Sequence, residues 1–471
     1  MLRVNLAEFR ESWTAWLGVS VTFIAANFAL TLCALVALSG LRAIDEGVME
    51  FTASASFTVV PMLVALMLCF VVAPVVGSST SLVVDARRGA LARLSLAGAT
   101  PSQVSGNVLT QLAVTCLACA VVGDLLAVAA TVPAIDLLAY AGRENDGGGV
   151  PIAAVYSPVA LLLGSGVCLL VALLGGARRA RTAAAVPPVE ALRQAQAPAA
   201  ASGLSVGGWI GVALLAAIVI GMAASVPLQA QLRYKETVSN LLIQTLGLLY
   251  VLGALLSALT PVLVRPLTRA WTSLVRTASP SWVLARATVL AKADRLAKSV
   301  VPVMFTVGVT AGDIGFGATV NATLVAAGMP GGMSGSSWES FVILFGLPLL
   351  VAIAGGVGSL LMMSRQRDAE LALAGIAGAE PRQRMLMPAL EALIITGTSI
   401  VLAIGMVAPM LAFYAFAMSS VGIAPVISIP AGPVAIAVAA CALVTLAATV
   451  LPTLPSHRVP EPRVVARLVA D

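Results

Sequence analysis

The stretch Leu96–Pro101, LAGATP, recurs later in the chain as IAGAEP at Ile376–Pro381. Each copy closes a segment that is first charged and then small and apolar, Asp85–Pro101 and Arg365–Pro381. A glycine favours the left-handed conformation that ends a helix, and a proline suits the first position of the next helix. We therefore expect two short helices, each ended by glycine and each directly followed by a long helix.

The composition around these segments is that of a membrane protein. Apolar residues make up 59% of the 471 residues and charged residues 10%, and the mean hydropathy is +1.01. A soluble chain is about 45–50% apolar and about 25% charged. Because so little polar surface could not cover a soluble fold, the composition excludes a soluble enzyme, a disordered chain and a nucleic-acid-binding protein, despite the net charge of +6.

Three residue counts exclude further kinds of chemistry. The only histidine is His457, so a histidine metal cluster is excluded. The six cysteines lie in apolar runs, and we interpret the pair Cys116 and Cys119 as buried apolar residues rather than a redox motif. No lysine follows a glycine, so the chain has no phosphate loop and cannot be its own ATPase.

Ten apolar segments are long enough to cross a bilayer, which takes about 20 residues. We number them spans 1 to 10, and they cover approximately residues 17–39, 58–82, 106–133, 154–176, 209–226, 239–264, 300–320, 340–363, 388–412 and 432–454. With the amino terminus in the cytoplasm, 23 of the 27 Lys and Arg residues fall on the cytoplasmic (inner) side and none inside a span. The sequence therefore predicts that both termini are cytoplasmic, and that the basic side faces anionic lipid headgroups.

Spans 1–4 and spans 7–10 are separated along the chain by the same number of residues as Leu96 and Ile376. We call two positions with this separation equivalent. An even number of spans precedes span 7, so both copies point the same way, as parallel repeats about an axis along the membrane normal. We predict an all-α polytopic membrane protein with three parts. A first four-helix repeat covers residues 1–195, a linker with a two-helix insert covers 196–280, and a second four-helix repeat covers 281–471.

These motifs resemble those of the FtsX-like (MacB-like) ABC transporter permeases. ARRGALARLSLAGATPSQV at Ala86–Val104 is similar to the family signature R-x-x-E-I-x-x-L-R-A-L-G-A-T-x-x-Q-I. ARRARTAAAVPPVEALR at Ala177–Arg193 is similar to the A-R-R-A-x-x-x-x-P-V-E-A-L-R that closes the family's domain. The layout of four, two and four spans looks most like the ten-span permeases of the bacitracin-resistance type, in which one chain holds two FtsX-like domains.

The resemblance implies a permease subunit in the bacterial plasma membrane, without enzymatic activity of its own. Two copies of a separate ATPase subunit, of the FtsE, MacB or LolD kind, would bind ATP and Mg, and this chain would bind no cofactor. ATP hydrolysis would drive export or membrane extraction of a hydrophobic compound or antimicrobial peptide by mechanotransmission. Two alternatives stay open: a secondary transporter driven by an ion gradient, and an FtsX-type regulatory scaffold that signals to an outer partner without transport.

The resemblance also assigns the ATPase-coupling role to the two short helices and their turns. The residues implied are Arg88, Leu91, Leu94, Leu96, Ala97, Gly98, Ala99, Thr100, Pro101, Leu371, Ala374, Ile376, Ala377, Gly378, Ala379, Glu380 and Pro381. One feature departs from the bacitracin type, which carries a large extracellular domain between spans 7 and 8. Here only the short loop Asn321–Glu339 joins these spans. This favours a lipid-like or membrane-inserted substrate, or a separate extracellular partner.

Four polar residues within the spans are candidates for a functional role, because such residues are costly in lipid. Asp124 and Asp313 either line a polar cavity and contact substrate or a proton, or lie near the outer interface and are solvated. Gln111 and Glu391 are at equivalent positions, near the inner ends of spans 3 and 9. For this pair we predict a structural role, hydrogen bonding to the coupling element.

The predicted orientation can be tested with single cysteines in a variant whose six native cysteines are replaced by alanine. We expect Ser334→Cys, in the outer loop between spans 7 and 8, to react with a membrane-impermeant maleimide in intact cells. Ser456→Cys, in the carboxy-terminal tail, should react only after permeabilisation. Labelling of both cysteines in intact cells would contradict a cytoplasmic carboxy terminus.

Overall fold

The computed structural model describes residues 13–48, 55–86, 91, 95–96, 98–146, 152–184, 204, 206–232, 237–275, 279–328 and 338–453. In these ranges the regular structure is helical throughout, and ten helices are long and apolar enough to cross a membrane. This confirms the all-α polytopic fold. The ten helices are Trp13–Asp45, Ala55–Ala86, Pro101–Asp146, Pro158–Ala184, Val206–Leu232, Thr237–Ser273, Ala293–Ala326, Val342–Met362, Pro381–Ser420 and Ala431–Val450, and they correspond in order to spans 1–10.

Two shorter helices flank the second half of the chain on its inner side. The interfacial helix, Pro280–Ala291, precedes span 7 and buries Trp282, Ala285 and Val289 against its neighbours. The helix Ser364–Ile376 lies between spans 8 and 9, and we call it the coupling helix after the role that the resemblance implies. Span 8 is entered through a single turn at Trp338–Phe341 and a π-helical turn at Val342–Gly346.

Spans 3 and 9 are much longer than their apolar centres. They have 46 and 40 residues, which at 1.5 Å per residue is about 69 and 60 Å, twice the thickness of a hydrocarbon core of about 30 Å. Hydropathy marks only the part of a helix that contacts lipid, so the sequence underestimated both ends. For the same reason Lys298, Arg382 and Arg384, which we expected outside the spans, lie in the inner ends of span helices.

The outer loop between spans 7 and 8 is shorter than the sequence indicated. Span 7 remains helical to Ala326, and helix resumes at Trp338. The expected loop Asn321–Glu339 is therefore helical at both of its ends. Its central residues 329–337 lie outside the described part of the chain.

The two halves meet where span 1 crosses span 8. A Cβ atom on Gly18 would overlap the carbonyl oxygen of Gly358, and one on Gly358 would overlap the carbonyl oxygen of Gly18, so the two backbones are in contact. Nearby, a Cβ atom on Gly355 would overlap Val75. Val75 and Gly355 are at equivalent positions of the repeat, and equivalent positions meet in this way at a two-fold axis.

The insert breaks this symmetry. Span 6 packs against spans 2, 7 and 9, and span 5 packs mainly against span 6. Half of the most apolar part of span 6 is buried inside the protein, whereas only 6% of the most apolar part of span 5 is buried. The second half therefore has a helix packed on its surface that has no counterpart in the described part of the first half.

The backbone contact between spans 1 and 8 predicts a strong effect of added volume. Gly358→Leu must push the two helices apart, and overpacking of this kind costs about 1–3 kcal/mol. We expect a lower midpoint of thermal unfolding in detergent. The matched control is Gly221→Leu, because Gly221 in span 5 has open space around it. Equal midpoints for the two variants would show that the crossing does not stabilise the fold.

Candidate functional site

Both copies of the repeated motif form the same turn. Gly98 and Gly378 have φ of 94° and 96°, in the left-handed region. The amide of Gly98 donates to the carbonyl of Ser95 at 3.1 Å, and that of Gly378 donates to the carbonyl of Gly375 at 3.0 Å. The second turn also has a bond from the Ala379 amide to the carbonyl five residues earlier, at 2.9 Å. Each glycine therefore ends a helix by the expected C-cap.

The helix that follows each turn is started by a reciprocal side-chain cap. The amide of Thr100 donates to Gln103 Oε1 at 3.0 Å, and the amide of Gln103 donates to Thr100 Oγ1 at 3.4 Å. Glu380 and Gln383 form the same box, with the Glu380 amide 3.1 Å from Gln383 Oε1. Sequence reasoning missed both glutamines. The capping-box pattern, with Gln three residues after the cap, could have identified them.

Each coupling element is held by a buried leucine and presents apolar side chains at its tip. Leu91 and Leu371 are 3% and 6% exposed. At the tips, Leu96 and Ile376 are 52% and 59% exposed, and Leu373 is 58% exposed. Ala99, Ala374 and Ala379 are half-buried, and Thr100, Pro101, Ala377, Glu380 and Pro381 are exposed. Arg88, Leu94 and Ala97 lie outside the described residues.

Ion pairs attach the coupling helix to the membrane helices. Arg367 Nε lies 3.2 Å from Glu391 Oε2 of span 9, with the two side chains 5% and 12% exposed. Glu370 pairs with Lys292 at the junction before span 7. Sequence reasoning singled out Glu391 but not Arg367 or Lys292.

A third ion pair joins the two halves. Lys298 near the start of span 7 pairs with Asp85 at the inner end of span 2. At the position equivalent to Glu391, span 3 has the neutral Gln111, which is 9% exposed. An ion pair between the coupling element and the span that follows it is therefore described for the second half only.

Asp124 is held by side chains of two neighbouring spans. Its Oδ1 accepts hydrogen bonds from Asn27 Nδ2 at 2.7 Å and Thr31 Oγ1 at 2.8 Å, both from span 1. Its Oδ2 accepts a hydrogen bond from Ser165 Oγ of span 4 at 3.0 Å. The carboxylate thus links spans 1, 3 and 4. Asp124 is therefore not simply a solvated residue near the outer interface. The equivalent of Asp124 in the second half is Ile404.

Asp313 lies inside the protein, where span 7 faces span 6. It is 5% exposed, so of the two alternatives for Asp313 the solvated residue at the outer interface does not describe it. Its neighbour Gly312 packs closely against span 6, because a Cβ atom on Gly312 would lie 2.8 Å from Leu249 Cδ2. Tyr250 is fully buried, and its hydroxyl has no hydrogen-bond partner among the described residues.

Four of the six cysteines, Cys33, Cys116, Cys119 and Cys168, are buried, whereas Cys441 is partly buried and Cys69 is exposed. Cys116 and Cys119 are buried and free, as interpreted from their apolar surroundings. Cys116 Sγ lies 4.0 Å from Cys168 Sγ of span 4. In the part of the chain that the structure describes, no three His, Cys, Asp or Glu side chains converge on one point.

The comparison with protein families gives the class of this molecule. The model described as FtsX-like permease C-terminal matches residues 62–188 and 342–458, more than half of the chain. The two matched regions begin at equivalent positions of the repeat. The chain therefore belongs to the FtsX-like permease family. Neither the comparison with curated proteins nor that with solved structures finds a match.

Family membership has two plain consequences. The protein is a multi-pass membrane subunit of the ABC transporter permease type. Members of this family work with a separate ABC ATPase and typically lack an ATPase site of their own. The two coupling turns lie within the matched regions.

The Arg367–Glu391 pair predicts a double-mutant effect. Glu391→Leu removes the carboxylate paired with a buried guanidinium, and breaking such a pair costs about 3–5 kcal/mol. The double variant Arg367→Met with Glu391→Leu should recover most of the unfolding free energy measured in detergent.

The exposed pair Arg42 and Glu46 provides the control for this experiment. Its side chains are 61% and 54% exposed, and exposed pairs contribute about 0–1 kcal/mol. Glu46→Leu should therefore change the unfolding free energy very little. A loss in Glu391→Leu no larger than in Glu46→Leu would contradict a stabilising role for the buried pair.

Proposed function

We propose that this chain is the permease subunit of an ABC transporter with the ten-span arrangement of the bacitracin-resistance type. It couples ATP hydrolysis by two copies of an FtsE-, MacB- or LolD-like ATPase to export or membrane extraction of a hydrophobic compound or antimicrobial peptide. The observation that carries the proposal is the pair of equivalent turns. Both have the same left-handed glycine, the same capping box and an exposed apolar tip.

The tips fit the task of docking into another protein. Leu96 of the first element and Ile376 of the second are more than half exposed, on the side where the basic residues predict the cytoplasm. Exposed apolar residues on a rigid turn are suited to insertion into a groove of a partner. Two such elements match two ATPase copies, which would hold ATP and Mg between them.

The long helices provide a route for the motion. Spans 3 and 9 begin at the capped turns and continue as single helices to the outer side. At the outer side, hydroxyl groups of spans 1 and 7 hold extended segments. The Val155 amide donates to Ser39 Oγ at 2.9 Å, and the Ser428 amide donates to Thr319 Oγ1 at 3.2 Å. A tilt imposed at the turns would thus displace the outer face, which is mechanotransmission.

An apolar chamber supports a hydrophobic substrate. It has a volume of about 300 Å³ and is lined by spans 1, 2, 3 and 8 towards their outer ends. Its wall includes Val342, Ile343 and Gly346 of the π-helical turn, and such turns are frequent at functional sites. Together with the short connection between spans 7 and 8, the chamber favours a substrate that arrives from the membrane.

The docking proposal predicts the effect of charge at the tips. The double variant Leu96→Asp with Ile376→Asp should reduce recovery of the ATPase subunit with the tagged permease by at least about tenfold, because each carboxylate would be desolvated in an apolar groove. The measurement is co-purification in mild detergent, together with ATP turnover. Leu274→Asp is the control, since Leu274 is 80% exposed at the inner end of span 6.

Two outcomes would contradict the proposal. One is wild-type protein that purifies without any nucleotide-binding subunit. The other is substrate flux that continues without ATP, follows an ion gradient and is abolished by Asp313→Asn, as a secondary transporter requires. ATP turnover without flux or extraction would indicate the FtsX-type scaffold.

A further inference from the structure

The second half of the protein has a groove that is already filled by a helix. Span 6 lies against spans 7, 9 and 2. The contact is close, because a Cβ atom on Gly253 would lie 2.5 Å from Phe305 Cε1 and 3.1 Å from Met406 Sδ. Phe305 belongs to span 7 and Met406 to span 9. The helix thus covers a surface formed by three spans.

Among the residues that the structure describes, no helix lies on the equivalent surface of the first half. The equivalents of spans 7, 9 and 2 are spans 1, 3 and 8. These three spans line an open groove of about 790 Å³. Ala25 and Leu126, which are equivalent to Phe305 and Met406, are both part of its lining. The groove is therefore the counterpart of the site that span 6 occupies.

Exposure of equivalent residues shows the same difference. In the covered surface, Val301 is 5% exposed and Met406 is fully buried. Their equivalents in the open groove, Val21 and Leu126, are 40% and 49% exposed. These two positions are thus buried in the second half and open in the first, whereas Ala25, the equivalent of Phe305, lies deeper in the groove and is 8% exposed.

The chemistry of the groove suits a membrane helix better than a lipid chain. All of its lining residues are apolar, and Ala25, Ala129, Ala130 and Ala354 are small enough to let another backbone approach. A lipid tail is about as apolar as leucine, so a tail gains little from entering. A helix gains close packing along the whole groove.

We infer that the groove between spans 1, 3 and 8 binds one transmembrane helix of a second membrane protein. The partner helix is apolar and carries small residues where it crosses the groove, as span 6 carries Gly253 against span 7. The partner helix occupies in the first half the site that corresponds to the one span 6 occupies in the second half. This inference does not depend on transport, since a scaffold would use the same surface.

Photocrosslinking in native membranes tests this inference. A benzophenone amino acid replaces Leu126 in the full chain, and crosslinked peptides are identified by mass spectrometry after irradiation. The control position is Leu163 in span 4, which is 57% exposed and lies outside the groove. We expect a peptide from a transmembrane segment of another protein at position 126, at least about fivefold above the control.

A blocking variant provides the second measurement. Ala129→Trp fills the groove and should reduce the crosslink at position 126 by at least about fivefold. Ala213→Trp, at an exposed position of span 5, should leave it unchanged and shows that an added indole by itself does not disturb the protein. Adducts with lipid alone, adducts with a second copy of this chain, or equal yields at positions 126 and 163 would overturn the inference.

Discussion

The arrangement of the two halves depends on the backbone contact between spans 1 and 8. Gly18 and Gly358 have no side chains, so the helices approach until a Cβ atom on either would overlap the other's carbonyl oxygen. In lipid, association of helices relies on such close packing, because burial of apolar surface adds little. The halves therefore join through their backbones, with Val75 and Gly355 meeting beside the pseudo-two-fold axis.

The two bundles are stabilised in different ways around this common contact. In the first, Asp124 accepts hydrogen bonds from spans 1 and 4, whereas the second has Ile404 at that position. In the second, span 6 packs on the surface formed by spans 2, 7 and 9, and ion pairs attach the coupling helix to the membrane helices. The same repeat thus presents one face covered by span 6 and one open groove.

The coupling turns were predictable because their geometry is local. A glycine with positive φ and a proline after it are specified by neighbouring residues, and both copies agree with the prediction. The attachment of these turns was not predictable in the same way. Lys298 pairs with Asp85, 213 residues away, and such a partner follows from which helix faces meet. The residues Arg367 and Lys292 were missed for the same reason.

The sequence by itself determined the membrane class, the ten spans, the expected orientation and the internal repeat. These properties follow from the bilayer, which selects apolar helices of sufficient length and biases charge between its two sides. Only the tertiary structure decided that Asp124 is engaged by three side chains and that Asp313 is buried against span 6. It also decided that one groove is filled and its counterpart open, because helix packing depends on contacts between residues far apart in the chain.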